Sequence, residues 1–289
     1  MGINKELRVT IIGCGTLGTA IAAGMLEPRS GDHGVKHLTV TVGTVPSKKR
    51  IEETLQANLQ RLTVLTKEEN VRAVQDADVV LLAMKPIKRS EVFAVPGFKE
   101  GLRGKFIVSI MAGITTAEVD RLILGGQNSE KSSVQAVRAM PNMAAKIREA
   151  VTLYTSSVGT SKENVEIASW IFSQVGEAYE MPEGSFDICA VLVGCAGSLL
   201  LLAIDGLLDA AVAEGVRRPE VQNLVVNSAI GMMRLVPAGD HPGVLREKIA
   251  SPGGCSIRAL LELEKLGARS AFTTAILAAA AKSKSMSSS

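Results

Sequence analysis

The chain has 289 residues and 30.4 kDa, with 32 basic and 29 acidic side chains and a formal net charge of +3, enough for one large or two ordinary domains with real cores. The charges are dispersed and the aromatics few (6 Phe, 2 Tyr, 1 Trp), which excludes a dedicated nucleic-acid binder with its basic stripe and stacking rings. Hydrophobic residues make up 46%, so Ala, Val, Leu, Ile and Met build the core and a disordered chain is excluded.

In chain order, Leu7–Ile12 reads as a strand, Gly18–Leu26 as a helix, His37–Val42 as a strand, Lys48–Leu62 as a helix and Val79–Met84 as a strand. Phe106–Ile110 follows as a strand, Thr116–Leu124 as a helix, then Val134–Met140 and Ala150–Tyr154 as strands. Alternation of this kind predicts a parallel sheet covered on both faces. From Glu183 the strand-like runs stop, and helices are predicted over Asp187–Glu214, Glu220–Leu235, Pro242–Ile249, Ser256–Leu266 and Ala268 to Lys282. The tail Ser283–Ser289 is small and polar and is expected to be disordered. The fold class is therefore α/β: a Rossmann-type doubly wound sheet over residues 1–182, then an all-helical domain over 183–289.

Ile188–Ile204 is 17 residues without a charge, about 25 Å as a helix, which barely spans a bilayer. Asp187 and Asp205 flank it and Gly194, Gly197 and Ser198 interrupt it, so a buried helix is expected and no membrane span. The C-terminal helices are apolar almost all the way round, as in LLLLAIDGLL, and predict a homodimer. Cys14, Cys189, Cys195 and Cys255 form no CxxC pair and no metal-ligand spacing, so no metal is expected. Free thiols, with no secretory signal at the N-terminus, point to a reducing, cytoplasmic setting. His33, His37 and His241 lie in loop-like or helix-start settings, which leaves no Ser-His-Asp or metal chemistry.

Gly13-Cys14-Gly15-Thr16-Leu17-Gly18 follows a strand and opens an Ala-rich helix, the context of a dinucleotide fingerprint. Gly13 permits the tight turn, Gly15 lets a pyrophosphate approach the backbone, and Gly18 lets helix and strand pack closely. The helix N-terminus supplies unpaired N–H groups for the phosphates. An NAD site carries an acid after the second strand, but here Gly43-Thr44-Val45-Pro46-Ser47-Lys48-Lys49-Arg50 has none before Glu52. Hydroxyls and three cations suit a 2′-phosphate, so NADPH is favoured, with NADH as the alternative.

Ser251-Pro252-Gly253-Gly254-Cys255-Ser256 precedes a helical pattern, so successive N–H groups of a glycine turn and a helix start point to one place. Such a nest suits a small carboxylate, although the same residues also read as an ordinary Ser cap after a Pro-Gly turn.

That turn, with His241-Pro242-Gly243-Val244-Leu245-Arg246, Asp78–Pro86, Ser109–Thr115 and Val137–Asn142, resembles the pyrroline-5-carboxylate reductase family from about residue 7 to 280. The resemblance implies reduction of the cyclic imine Δ1-pyrroline-5-carboxylate to L-proline, the last step of proline biosynthesis. It also implies a helical domain interlocked with its twin in a dimer, often assembled further. It places Gly13–Gly18 at the pyrophosphate, Asn70 and Ala83-Met84-Lys85-Pro86 along the adenosine and nicotinamide sides, and Ala112-Gly113 near the nicotinamide. Ser251, Gly253, Gly254, Cys255 and Ser256 become the substrate-carboxylate site. Ser256 stands where the family usually has Thr and is the expected hydrogen-bond partner of the imine nitrogen. Lys85, at the end of a parallel strand, is a second catalytic candidate with an electrostatic role.

An iminium substrate already carries its proton, so orientation of the imine carbon against the nicotinamide is the chief requirement. The chain departs from the family pattern at Val193–Leu199, Met143-Ala144, Lys248 and Ser256, all around the substrate region, which keeps a ring-substituted pyrroline as an alternative substrate. A β-hydroxyacid dehydrogenase would need a lysine in the second-domain helix, and Asp187–Val216 has none. A non-catalytic NADP(H)-binding regulator would keep the glycine loop and lose the nest.

Overall fold

The computed structural model describes residues 5–29, 33–125 and 134–287. They fall into two compact units, one within Met1–Gly194 and Lys282–Ser289 and the other Cys195–Ala281. In the first unit, β1 (Lys5–Ile12), α1 (Thr16–Leu26), β2 (His33–Val42), α2 (Val45–Thr54), β3 (Leu62–Thr66), α3 (Asn70–Gln75) and β4 (Val79–Leu82) follow one another. Then come α4 (Arg89–Phe93), α5 (Phe98–Leu102), β5 (Phe106–Ser109), α6 (Thr116–Leu124), β6 (Ala136–Pro141), β7 (Ala150–Ser156), α7 (Lys162–Ser173) and β8 (Gly176–Glu180). The eight strands form one sheet in the order β3-β2-β1-β4-β5-β6-β7-β8.

Residues that alternate along each strand enter two cores. Leu7, Val9 and Ile11 meet Ile21 and Met25 of α1 on one face. Val80 and Leu82 meet Phe98 and Val119 on the other. Full burial of such a side chain contributes about 1.5–3 kcal/mol, so the apolar runs of β1 and β4 carry much of the sheet's stability. The helix starts are set by local chemistry: Thr44, Thr115 and Ser161 side chains accept from Ser47, Glu118 and Asn164 amides at 3.3, 3.1 and 3.2 Å.

Several expectations change. The expected helix Lys48–Leu62 ends at Thr54; a 3-10 turn over Gln56–Arg61 leads into β3, which pairs in parallel with β2 from Leu38↔Leu62. Edge pairing there overrides the helical pattern, because Leu62-Thr63-Val64-Leu65 is rich in β-forming residues. The sheet is also not wholly parallel, since β7 runs antiparallel to β6 and β8 follows β7. α3, α4, α5, α7 and β8 are additions to the expected elements. His33 and His37 are strand residues and not loop residues, because pairing with β1 begins at Lys5↔His33. The His33 ring meets Trp170 edge-on at 5.8 Å, and His37 Nε2 bonds Thr63 Oγ1 at 2.9 Å.

Beyond β8 the chain is helical: α8 (Glu183–Ala213), α9 (Arg218–Met233), α10 (Pro242–Ile249), α11 (Cys255–Lys265) and α12 (Ala268–Ser287). The expected disordered tail is helical as far as Ser287, and residues 288–289 lie outside the described set. The expectation about the extreme N-terminus falls on residues 1–4, also outside it. α8 has the length and composition to cross a membrane, yet only 6% of its most apolar stretch is buried. The expected burial of Ile188–Ile204 is therefore not met within one chain: Leu201 and Leu202 are 67% and 72% exposed. A small set of helices has too little volume to cover apolar surface on every side of each member. All four cysteines are free.

Candidate functional site

The chain order of the sheet reverses between β1 and β4, and in open α/β sheets ligands bind outside the strand ends at that switch point. Ile12 pairs with Leu82 there, and the Ala83 amide donates to the Ile12 carbonyl at 2.9 Å. Gly13 turns the chain with φ +81°, and a Cβ on it would sit 2.8 Å from Met84 Cα. A Cβ on Gly15 would meet nothing within 4 Å, so the backbone there is open to a ligand. A Cβ on Gly18 would lie 3.3–3.7 Å from Cys14 Sγ, Ile11 and Ala83, the close strand–helix approach expected of this position. Gly15 caps α1 without any side-chain hydrogen bond, which leaves the helix start to bind an anion.

Thr41, at the end of β2, secures the loop: its carbonyl accepts the Cys14 amide at 2.7 Å and its hydroxyl accepts the Gly13 amide at 3.3 Å. Sequence reading missed this residue, whose only signal is a hydroxyl near the end of a strand. Cys14 is buried, and burial pushes its thiol up to about 12, which removes it from nucleophilic chemistry at neutral pH. Its place in the loop is therefore backbone and packing.

Two cavities flank the loop. One of about 220 Å³ is lined by Gly13, Thr41, Gly43, Asn70, Met84, Lys67, Lys88 and Glu91 among others. Asn70 is 3% exposed and its Oδ1 is buried without a hydrogen-bond partner. An orphaned buried acceptor of this kind is costly unless a ligand completes it. Lys67 and Lys88 both pair with Glu91, at 3.3 and 2.8 Å, a cluster that sequence reading did not find because Lys67 lies 24 positions away in the chain. The second cavity, about 290 Å³, brings Arg50 and Lys146 to Thr16, Thr19 and Thr54 beside the start of α1. Lys48 is half-buried and lies 3.9 Å from Glu52, Thr44 caps α2, and Val45 is exposed. The open glycine loop, the orphaned amide oxygen and these cations together fit a phosphorylated dinucleotide.

Lys85 is exposed at the end of β4, where its carbonyl accepts from Lys88 at 2.8 Å and Pro86 begins a 3-10 turn. Ala112 is exposed and Gly113 partly so, in the turn that leaves β5. Neither position is distant in the sheet from the switch point, since β4 and β5 are neighbours.

In the second unit, Gly254 rather than a serine caps α11, and no side chain bonds into that helix start. The plain serine-cap reading is thereby excluded. Gly253 has φ +72°, Gly254 donates to the Ser251 carbonyl at 3.0 Å, and a Cβ on Gly254 would lie 2.8 Å from Ser251 Oγ. Ser251, Gly253, Cys255 and Ser256 are exposed. Ser256 lines an apolar groove of about 450 Å³ with Met232, Met233, Val236, Leu245 and Leu260. A hydroxyl in such a wall forms stronger hydrogen bonds than one in water. His241 caps α10, with Nδ1 accepting the Gly243 amide at 3.1 Å, and Lys248 pairs with Asp240 at 2.9 Å. No group of three or more His, Cys, Asp or Glu side chains suited to a metal ion occurs among the described residues.

Comparisons with known proteins bear on the fold and the family. A family model described as pyrroline-5-carboxylate reductase dimerisation matches residues 183–286, and one described as NADP oxidoreductase, coenzyme F420-dependent, matches residues 8–113. A pyrroline-5-carboxylate reductase of Lophium arboricola is 32% identical over 94% of this chain and 91% of its own length. One from Arabidopsis thaliana is 30% identical over 99% and 97%. The crystal structure of Plasmodium falciparum pyrroline carboxylate reductase with NADP bound matches at a TM-score of 0.82 and 25% identity, covering 99% of this chain and 100% of that one. On the likeness to these near-full-length relatives, the chain belongs to the pyrroline-5-carboxylate reductase family.

Proposed function

We propose that this protein reduces Δ1-pyrroline-5-carboxylate to L-proline with NADPH. The observation that carries the reading is that two helix starts in one member of this family are capped by glycine with no side chain bonded into them, Gly15 at the switch point and Gly254 before α11, and such starts suit anions. The relatives bear the name of the unsubstituted activity, which does not favour the ring-substituted alternative.

When bound, the nicotinamide supplies a hydride. The protein's own residues orient the acceptor. Amides of the Ser251–Ser256 turn hold the substrate carboxylate, the Ser256 hydroxyl is the hydrogen-bond partner of the ring nitrogen and the relay for its proton, and Lys85 acts electrostatically near the cofactor. Gly13–Gly18 hold the pyrophosphate, and Asn70 with Ala83–Pro86 and Ala112-Gly113 line the adenosine and nicotinamide sides. Thr44, Val45 and Lys48 lie on the side of the 2′-phosphate. No strong acid is needed for an iminium, so rate comes from placement. A homodimer through the helical unit and a cytoplasmic setting belong to the same reading, and sedimentation analysis checks the dimer and any further assembly.

The test is loss of NADPH absorbance when the purified protein meets pyrroline-5-carboxylate, run beside NADH and a substituted pyrroline. Turnover is expected with the unsubstituted imine, faster with NADPH. NADPH binding without turnover would mark a nucleotide-binding regulator instead, and turnover confined to the substituted ring would restore that alternative.

A further inference from the structure

One buried charge has no part in the chemistry above. Arg138, in the middle of β6, has a side chain only 5% exposed. Its Nε and Nη2 bind the two carboxylate oxygens of Glu183 at 3.2 and 2.8 Å, and its Nη1 binds Asp187 at 2.8 Å. The guanidinium also lies 4.0 Å over the ring of Phe186, itself buried. Glu183, Phe186 and Asp187 are the first turns of α8. Thus one planar fork uses all three nitrogens and one face on a single helix root, a geometry an ammonium cannot reproduce.

A well-packed apolar residue would often stabilise such a place at least as well, since desolvation of a buried ion pair offsets most of its attraction. What the fork adds is direction. α8 is 31 residues, about 46 Å at 1.5 Å per residue, so a tilt of roughly 5° at its root moves its far end by about 4 Å. Misplacement of about 1 Å already costs on the order of a hundredfold in rate. Arg138 also pairs across the sheet with Ser109, three residues before the Ala112-Gly113 turn.

We infer that Arg138 is a positioning residue for the reduction: it docks the root of α8 on the strand beside the nicotinamide-side turn and holds that helix in one direction. The inference rests on the proposed function, because the helix so aimed leads into the unit that contains the Ser251–Ser256 turn. The hydrogen bonds and ion pairs of the Arg138 side chain go to Glu183 and Asp187 and not to the Gly13–Gly18 loop, so substrate placement and cofactor affinity separate.

The experiment compares the full-length parent with Arg138→Lys, and with Glu183→Gln and Asp187→Asn, whose exposed carboxylates make folding failure a lesser concern. The expected result for Arg138→Lys is kcat/KM for the imine at least tenfold lower with KM for NADPH within twofold of the parent. Each carboxylate variant falls by a smaller factor in the same pattern. In parallel, hydrogen exchange of the first three turns of α8 is expected to accelerate at least tenfold in Arg138→Lys. A parent without turnover overturns the proposed function, and the exchange measurement still decides the docking. An active parent whose variants keep imine kcat/KM within twofold, or lose NADPH affinity equally, overturns the inference, as does unchanged exchange. If Arg138→Lys does not fold, the two carboxylate variants decide by the same criteria.

Discussion

Gly13 and Met84 meet backbone to backbone across the switch point, where a Cβ on Gly13 would stand 2.8 Å from Met84 Cα and Cβ and 2.9 Å from its N. The close approach comes from the pairing of Ile12 with Leu82, which delivers the two following turns to the same place. A Gly13→Ala change meets both that clash and a left-handed backbone worth roughly 1–2 kcal/mol against a side chain. At about 1.4 kcal/mol per factor of ten, NADPH affinity is expected to fall at least tenfold in a fluorescence titration. Unchanged affinity would show that the two turns relax apart.

Asn70 places an acceptor in the 220 Å³ cavity with nothing in the protein to satisfy it. Such an atom costs about 1–3 kcal/mol in the free protein, so Asn70→Ala should not lower the melting temperature of the unliganded protein. NADPH binding should weaken about tenfold. A large loss of unliganded stability with normal NADPH affinity would assign the residue to packing alone.

Ser256→Ala removes the one hydroxyl in the groove lined by Met232, Val236 and Leu245. If it bonds a charged ring nitrogen, the loss is about 1.5–3 kcal/mol, roughly ten- to a hundredfold in kcat/KM for the imine. KM for NADPH should stay put, because the glycine loop lies elsewhere in the chain. Steady-state kinetics with each substrate varied in turn checks the split.

Burial raises the Cys14 thiol from 9.0 to about 12. Between those values the unfolded chain gives up this proton while the folded one keeps it, so the contribution to stability is complete below pH 9 and declines as pH climbs toward 12. Denaturant titrations across that window should show the decline, and Cys14→Ala should flatten it. Near neutral pH, a thiol reagent should modify exposed Cys255 well before Cys14.

Much of the candidate site was legible without coordinates because its determinants are local. The glycine spacing, the absence of an acid between Val42 and Glu52, and the Ser251–Ser256 turn each lie within one short stretch, and backbone preferences act over such distances. The predicted bounds of Thr116–Leu124 and Pro242–Ile249 match α6 and α10 for the same reason, as each has its cap beside it.

What the tertiary structure alone decided depends on partners far apart in the chain. β3 and β8 exist because Leu62 and Gly176 find the edges of β2 and β7, and the histidines of β2 are strand residues because β1 lies beside them. Thr41 reaches the Gly13 amide across 28 positions, and Arg138 reaches Asp187 across 49. Sequence period reports which face of an element is apolar, but it does not report which other element comes to lie against that face. The grip of Arg138 on α8 and the unsatisfied oxygen of Asn70 are properties of chain packing, and only folding brings them into being.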